Sequence, residues 1–185
     1  MIILCGCGAV GSRLAMEMCN LNQEWILIDD DTVNPENIGT SAYYHQHIGQ
    51  VKAIALAELM WRKGRVVTKP IIRELTRPVR YEGLVLDCFD NPKARILTIS
   101  KQPTLHLGVD EGEVGSVIWD IHWAPPELDF ERGNNLVCTH HLGDLIIRST
   151  VAMGVYSIRQ FLNDRVKNSY FLNGCTNIVK LNSVN

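Results

Sequence analysis

Short, mostly apolar runs recur along this chain, and the stretches between them change period. Ile2 to Cys5 and Trp25 to Ile28 are apolar throughout, and Leu84 to Cys88 and Leu105 to Val109 are mostly so. A short apolar run without alternation reads as a strand buried on both faces, as in a parallel sheet. After the first run, Val10, Leu14 and Met18 recur at helical spacing. Val51 to Trp61 reads as a second helix, with Val51, Ala55 and Leu59 on one face. Arg65 to Ile72 reads as a third strand. Pro92 suits the first turn of another helix, where its missing N–H costs nothing. Strands alternating with helices predict a parallel sheet with right-handed crossovers.

Later the style changes. Val117 to Trp123 alternates and reads as a strand of another orientation. Ala124 to Asn135, with Pro125-Pro126, reads as a loop. Leu145 to Leu162 predicts a long helix striped by Ile147, Val151, Val155, Ile158 and Leu162. Tyr170 to Leu172 and Asn177 to Leu181 read as strands, with a turn signal at Asn173-Gly174.

Composition excludes more than it assigns. The 185 residues suit one domain, and a net charge of -2 gives no electrostatic reason to expect nucleic acid or an anionic membrane as partner. No apolar run reaches the roughly 18 to 20 residues that span a bilayer. The start lacks the basic segment of a secretory signal. The six cysteines are irregularly spaced with no C-x-x-C pair, which predicts reduced thiols, a cytoplasmic protein and no four-cysteine zinc site.

Gly6, Gly8 and Gly11 read G-x-G-x-x-G, between a strand and a helix. In that context the first glycine permits a tight turn, the second admits a phosphate and the third lets helix and strand approach. The helix start, Gly8 to Gly11 with Ala9 and Val10, offers N–H groups to an anion. Asp29, 18 residues beyond Gly11, is placed to bind ribose hydroxyls, with Asp30 and Asp31 beside it. This fits NAD and ATP equally. Lys52, Asn37 and Asp90-Asn91 favour ATP: a lysine can neutralise transferring phosphates, and a carboxylate at a strand's C-terminal edge can hold Mg²⁺. Taken singly, Lys52 reads as a solvated helix residue.

The ordered set of Gly6 to Ser12, Leu27 to Val33, Glu36 to Ile38, Ile48 to Ala53 and Asp87 to Arg95 resembles the ubiquitin-activating-enzyme-like superfamily. The style is that of the adenylyltransferases ThiF, MoeB and HesA. Leu107 to Val117, with Gly112 and Gly115, resembles that family's turn into its first antiparallel strand. The resemblance covers nearly the whole chain. It implies an α/β, Rossmann-like, mostly parallel sheet continuing into antiparallel strands at the C-terminal side, with helices on both faces. Residues 1–185 then form a single unit, 1–110 its parallel part and 111–185 its antiparallel extension. It implies ATP and Mg²⁺ as ligands. The reaction implied adenylates the C-terminal carboxylate of a small ubiquitin-like or sulfur-carrier protein ending in Gly-Gly. By the same resemblance Gly8 and the turn cradle phosphate, Asp29 holds the ribose, Asn37 and Lys52 contact the phosphates and Asp90 holds the metal. A homodimer or heterodimer is the expected assembly.

The chain departs from that pattern in three places, one of them the zinc-binding C-x-x-C pairs that many relatives carry and this chain lacks. Thr40 stands where relatives carry an arginine, and a hydroxyl cannot replace a guanidinium on a phosphate. The chain, read as it stands, also lacks the N-terminal helix that often brings a second arginine. Arg13 is a possible substitute, but its position reads as a solvated helix face. These departures raise the alternative of a half-site subunit working with another chain. A NAD-dependent oxidoreductase is the third reading. Cys138, beside His140 and His141, is a candidate nucleophile because neighbouring imidazoles favour the thiolate; the competing readings are an unreactive loop cysteine and a metal site. Cys5 and Cys88 read as core residues.

Overall fold

In the computed structural model, β1 (Ile2–Cys5), β2 (Trp25–Ile28) and β4 (Leu84–Asp87) are buried along their whole length. The structure describes residues 1–99, 101–110, 114–120, 143–174 and 177–181. These strands join β3 (Thr68–Ile71), β5 (Thr104–Asp110), β6 (Val114–Trp119), β7 (Ser169–Asn173) and β8 (Asn177–Leu181) in one eight-stranded sheet ordered β3-β2-β1-β4-β5-β6-β7-β8. Pairing is parallel from β3 through β5 and antiparallel from β5 through β8. This is the α/β, Rossmann-like architecture expected from the sequence.

Alternation along the central strands sorts their side chains between two cores. Ile2, Leu4, Trp25, Leu27, Leu84 and Leu86 join the larger one, under α1 (Ala9–Met18), α2 (Lys52–Gly64) and α4 (Gly143–Asp164). Ile3, Cys5, Ile26, Ile28 and Val85 face the smaller one, closed by Leu75, Val79 and Leu97 at the end of α3 (Pro92–Ile96). Helix α4 packs tightly at Gly154, where an added Cβ would lie 2.4 Å from Leu107 Cδ2 and 3.4 Å from Leu14 Cδ1. Among the described residues no helix is long and apolar enough to cross a membrane.

Several boundaries differ from expectation for local reasons. Arg65 is not the first residue of β3. Helix α2 runs to Gly64, and Arg65 caps it in the left-handed conformation at φ 55° with its N–H on Trp61 C=O. Strand β6 starts at Val114 rather than Val117, because Gly115 lies inside the strand and not in a turn. A Cβ there would sit 2.1 Å from Thr150 Oγ1 of α4, so the glycine admits the helix.

The antiparallel part is fastened to α4 by a polar pair inside the apolar layer. Trp119 Nε1–H donates to Ser157 Oγ at 2.9 Å, and the Ser157 hydroxyl donates to Asn168 C=O at 2.7 Å. Ser157→Ala leaves a buried indole N–H without an acceptor, at a cost of about 1–3 kcal/mol. For a chain of this size the melting temperature is expected to fall by about 2–4 °C per kcal/mol. An unchanged melting temperature by calorimetry would show that the pair contributes nothing.

Candidate functional site

The site is built where the parallel strands end. The turn after β1 runs directly into α1, with Gly8 as its N-cap and no side-chain cap. Its first N–H groups are therefore left for a ligand or water. The three glycines differ in why they are glycine. Gly6 has φ +90°, and a Cβ on it would meet Cys88 C and O at 2.9 Å. At Gly11 a Cβ would lie 2.0 Å from Gly6 O. At Gly8 a Cβ would meet nothing within 4 Å, so the space beside the helix start is open. Ala9 and Val10 follow in the first helical turn, with Val10 packed into the core.

Asp29, just beyond β2, reaches back to this turn. Cys7 N–H donates to Asp29 Oδ2 at 2.6 Å, and Asp31 N–H donates to Oδ1 at 2.9 Å. Each oxygen keeps a lone pair for a further donor. Burial pushes the Asp29 carboxyl above the usual aspartate value, against the opposing pull of the Cys7 N–H and Lys52. Lys52 opens α2, donates its own N–H to Asp31 C=O at 2.8 Å and places Nζ 2.8 Å from Asp31 Oδ2. Its side chain is only 12% exposed, so it is not the solvated lysine of the simpler expectation. Burial works against its charge, but the Asp31 bond, with Asp29, Asp31 and Asp90 nearby, holds the ammonium above the ordinary lysine value. The acid after β4 thus acts on the same lysine as the acids after β2.

Asp90 itself is exposed. Its loop is anchored from below. The Arg95 guanidinium donates to Phe89 C=O and, at 2.7 Å, to Leu107 C=O. Fully buried Asp87 lies 2.7 Å from His106 Nδ1 and 3.9 Å from Arg95. Asn91 accepts from Lys93 N–H at 2.9 Å and caps α3. Asn37 accepts from Asn34 N–H at 2.9 Å through Oδ1, which closes its own loop and leaves its Nδ2 to point elsewhere.

Arg13 is not a solvated helix residue. Its guanidinium donates to the carbonyls of Gly39 and Thr40 and pairs with Asp144 of α4 at 2.8 Å. The loop that carries Thr40 is thereby fastened to α1. Ser12 Oγ helps by accepting from Ala42 N–H at 3.0 Å. Tyr43 and His106 carry no signal in the sequence: one of two adjacent tyrosines in a polar loop and a histidine in a strand do not announce partners so distant along the chain. Cys5 is buried as expected, whereas Cys88 lies just beyond β4 and is partly buried. Cys138, His140 and His141 lie outside the described residues. Among the described residues, the group whose carboxylates approach within 4.8 Å of one another is Asp29, Asp30 and Asp31, without Asp90.

No protein-family model and no curated protein matches this chain. Solved structures do. Escherichia coli MccB crystallised with ATP is similar over 98% of this chain and 62% of that one, at 12% identity and a TM-score of 0.78. The Microcin C7 biosynthetic enzyme MccB in complex with N-formylated MccA is similar over 98% of this chain and 64% of that one, at 13% identity and a TM-score of 0.73. PaaA is similar over 97% of this chain and 71% of that one, at 14% identity and a TM-score of 0.72. The chain thus spans less than two thirds of the MccB structures, and the likeness at these identities is one of fold.

Proposed function

We propose that this chain binds ATP at the glycine turn and adenylates the terminal carboxylate of a small protein or peptide. The observation that carries the reading is the meeting of Gly8, Asp29, Asp31 and Lys52 at one end of the sheet, with Asp90 acting on the same lysine. In this reading the open space beside Gly8 receives phosphate oxygens on the α1 N–H groups. The free lone pairs of Asp29 accept from the ribose, and Lys52 exchanges Asp31 for the phosphates. Asn37 and Asn91 flank the phosphates. An exposed carboxylate such as Asp90 fits Mg²⁺, which is commonly held by one or two carboxylates together with substrate phosphates. The metal would supply charge neutralisation on those phosphates. The substrate carboxylate oxygen attacks the α-phosphorus, the bond to the bridging oxygen breaks and pyrophosphate leaves with that electron pair. No protein nucleophile enters this step, so Cys138 belongs at most to a later transfer.

The partner in this reading is a ubiquitin-like or sulfur-carrier protein ending in Gly-Gly. The complex of MccB with N-formylated MccA favours adding peptides with a free C-terminal carboxylate. The half-site alternative is favoured by Arg13, whose guanidinium is committed to Gly39, Thr40 and Asp144 rather than facing the turn.

The first test is thermal shift with ATP–Mg²⁺ and with NAD. Stabilisation by ATP–Mg²⁺ is expected, and stabilisation by NAD with none by ATP would sink the proposal. The second is pyrophosphate exchange with Gly-Gly-ended proteins and peptides. ATP binding without exchange for any partner would move the assignment to the half-site subunit.

A further inference from the structure

The hydrogen bonds around the site close into a ring. Asp29 accepts from Cys7 N–H and from Asp31 N–H. Asp31 C=O accepts from Lys52 N–H at 2.8 Å. The remaining gap, from Lys52 back to Cys7, is closed by one side chain. Tyr43 Oη lies 2.6 Å from Cys7 O and 3.1 Å from Lys52 O. Its single phenolic proton is shared between these carbonyls, and the shorter bond goes to Cys7.

We propose that Tyr43 is a positioning residue that sets Lys52 against the glycine turn. Three observations carry this. Tyr43 is 3% exposed, so its hydroxyl has little access to water as an alternative partner. Its two acceptors belong to the two elements that the site must hold in register, the turn after β1 and the first residue of α2. Its own backbone is fixed, because Tyr43 N–H donates to Ser41 Oγ and the ring packs edge-on against buried His47 at 6.2 Å. The loop of residues 38–43 thus serves the site through a phenol at its end and not through a cation at Thr40. A terminal charge on a long chain such as Lys52 Nζ is placed only as well as the backbone beneath it, and misplacing a group by about 1 Å costs on the order of 100-fold in a positioned reaction.

The inference rests on the ATP reading for its functional half only, and its test has two arms on the full chain. The first needs no ligand. Tyr43→Phe keeps the ring and removes the hydroxyl. Amide hydrogen exchange by NMR is expected to speed about 10-fold at Cys7 and Lys52, relative to the amides of the β5–β6 ladder in the same variant. Equal acceleration in the ladder, or none at Cys7 and Lys52, overturns the proposal, because a merely structural phenol would loosen the whole fold or nothing. The second arm measures the Kd of a fluorescent ATP analogue for the parent, Tyr43→Phe, Lys52→Met and the double variant. Tyr43→Phe is expected to weaken binding about 5-fold to 10-fold in the parent, and less than 2-fold where Lys52 is already Met. The same loss in both backgrounds overturns the proposal that Tyr43 acts through Lys52. No nucleotide binding by the parent, with the exchange result intact, sinks the ATP reading while Tyr43 keeps its place in the ring.

Discussion

Lys52→Met is expected to leave the chain folded and to reduce pyrophosphate exchange by on the order of 100-fold or more, with the larger part of the loss in kcat. Methionine keeps the unbranched stem that packs at the start of α2 and removes the charge. The ammonium is held above the ordinary lysine value chiefly because Asp31 offsets its burial, so it stays fully charged through the physiological range. Without it Asp29, Asp31 and Asp90 face incoming phosphates uncompensated. Removing one preorganised donor or charge from a developing anion typically costs about 100-fold to 1000-fold. Ground-state binding of ATP should weaken less, because α1 still presents its N–H groups. Circular dichroism would check the fold, and exchange kinetics would separate KM from kcat. Exchange within a few-fold of the parent would remove Lys52 from the chemistry.

The second large effect separates two glycines of one motif. Gly11→Ala is expected to destabilise the fold by about 3 kcal/mol or more, because the new Cβ lies 2.0 Å from Gly6 O. That neighbour is backbone and cannot rotate away, so helix and turn must part. The helical preference of alanine over glycine, worth about 1 kcal/mol, acts the other way and is too small to win. Gly8→Ala should do the reverse. Gly8 has φ -72° and no atom within 4 Å of a Cβ, so alanine fits and the urea midpoint should hardly move. The methyl would instead occupy the space where phosphate oxygens are proposed, and ATP affinity should collapse. Urea unfolding and nucleotide titration of both variants give the comparison. Equal destabilisation by the two substitutions would show that Gly8 is glycine for packing alone.

The parts of this molecule legible from sequence were those with local causes. Apolar runs identified β1, β2 and β4 because burial on both faces leaves almost no polar position in them, Asp87 at the end of β4 being the exception. The runs did not say which residue meets which core, since either phase of the alternation is apolar. The glycine spacing located the turn because Gly6 and Gly11 answer to neighbours a few residues away or just beyond β4, with the open position of Gly8 between them. Gly115 was misplaced because its reason to be glycine is Thr150 on a helix far along the chain. Arg13 was misread for the same cause, its carboxylate partner Asp144 lying 131 residues away. Tyr43 went unnoticed because a hydroxyl in a polar loop reads as solvated until its two carbonyls are brought to it.

Helix α4 has a bearing on how such a chain is made. The turn, Asp29, Lys52 and Asp90 all lie in the first half of the sequence, yet α1 and β5 are covered by a helix from the last third. As the polypeptide emerges from the ribosome, Leu14 and Leu107 must wait in the open until Gly154 arrives to lie against them. At about 5–20 residues per second the delay between Leu107 and Asp164 is several seconds, long on the scale of collapse and of misassociation. The half that carries the glycine turn is therefore complete in sequence well before it is complete as a structure. During that interval the exposed face of α1 is the surface that a folding helper or an aggregate would meet first.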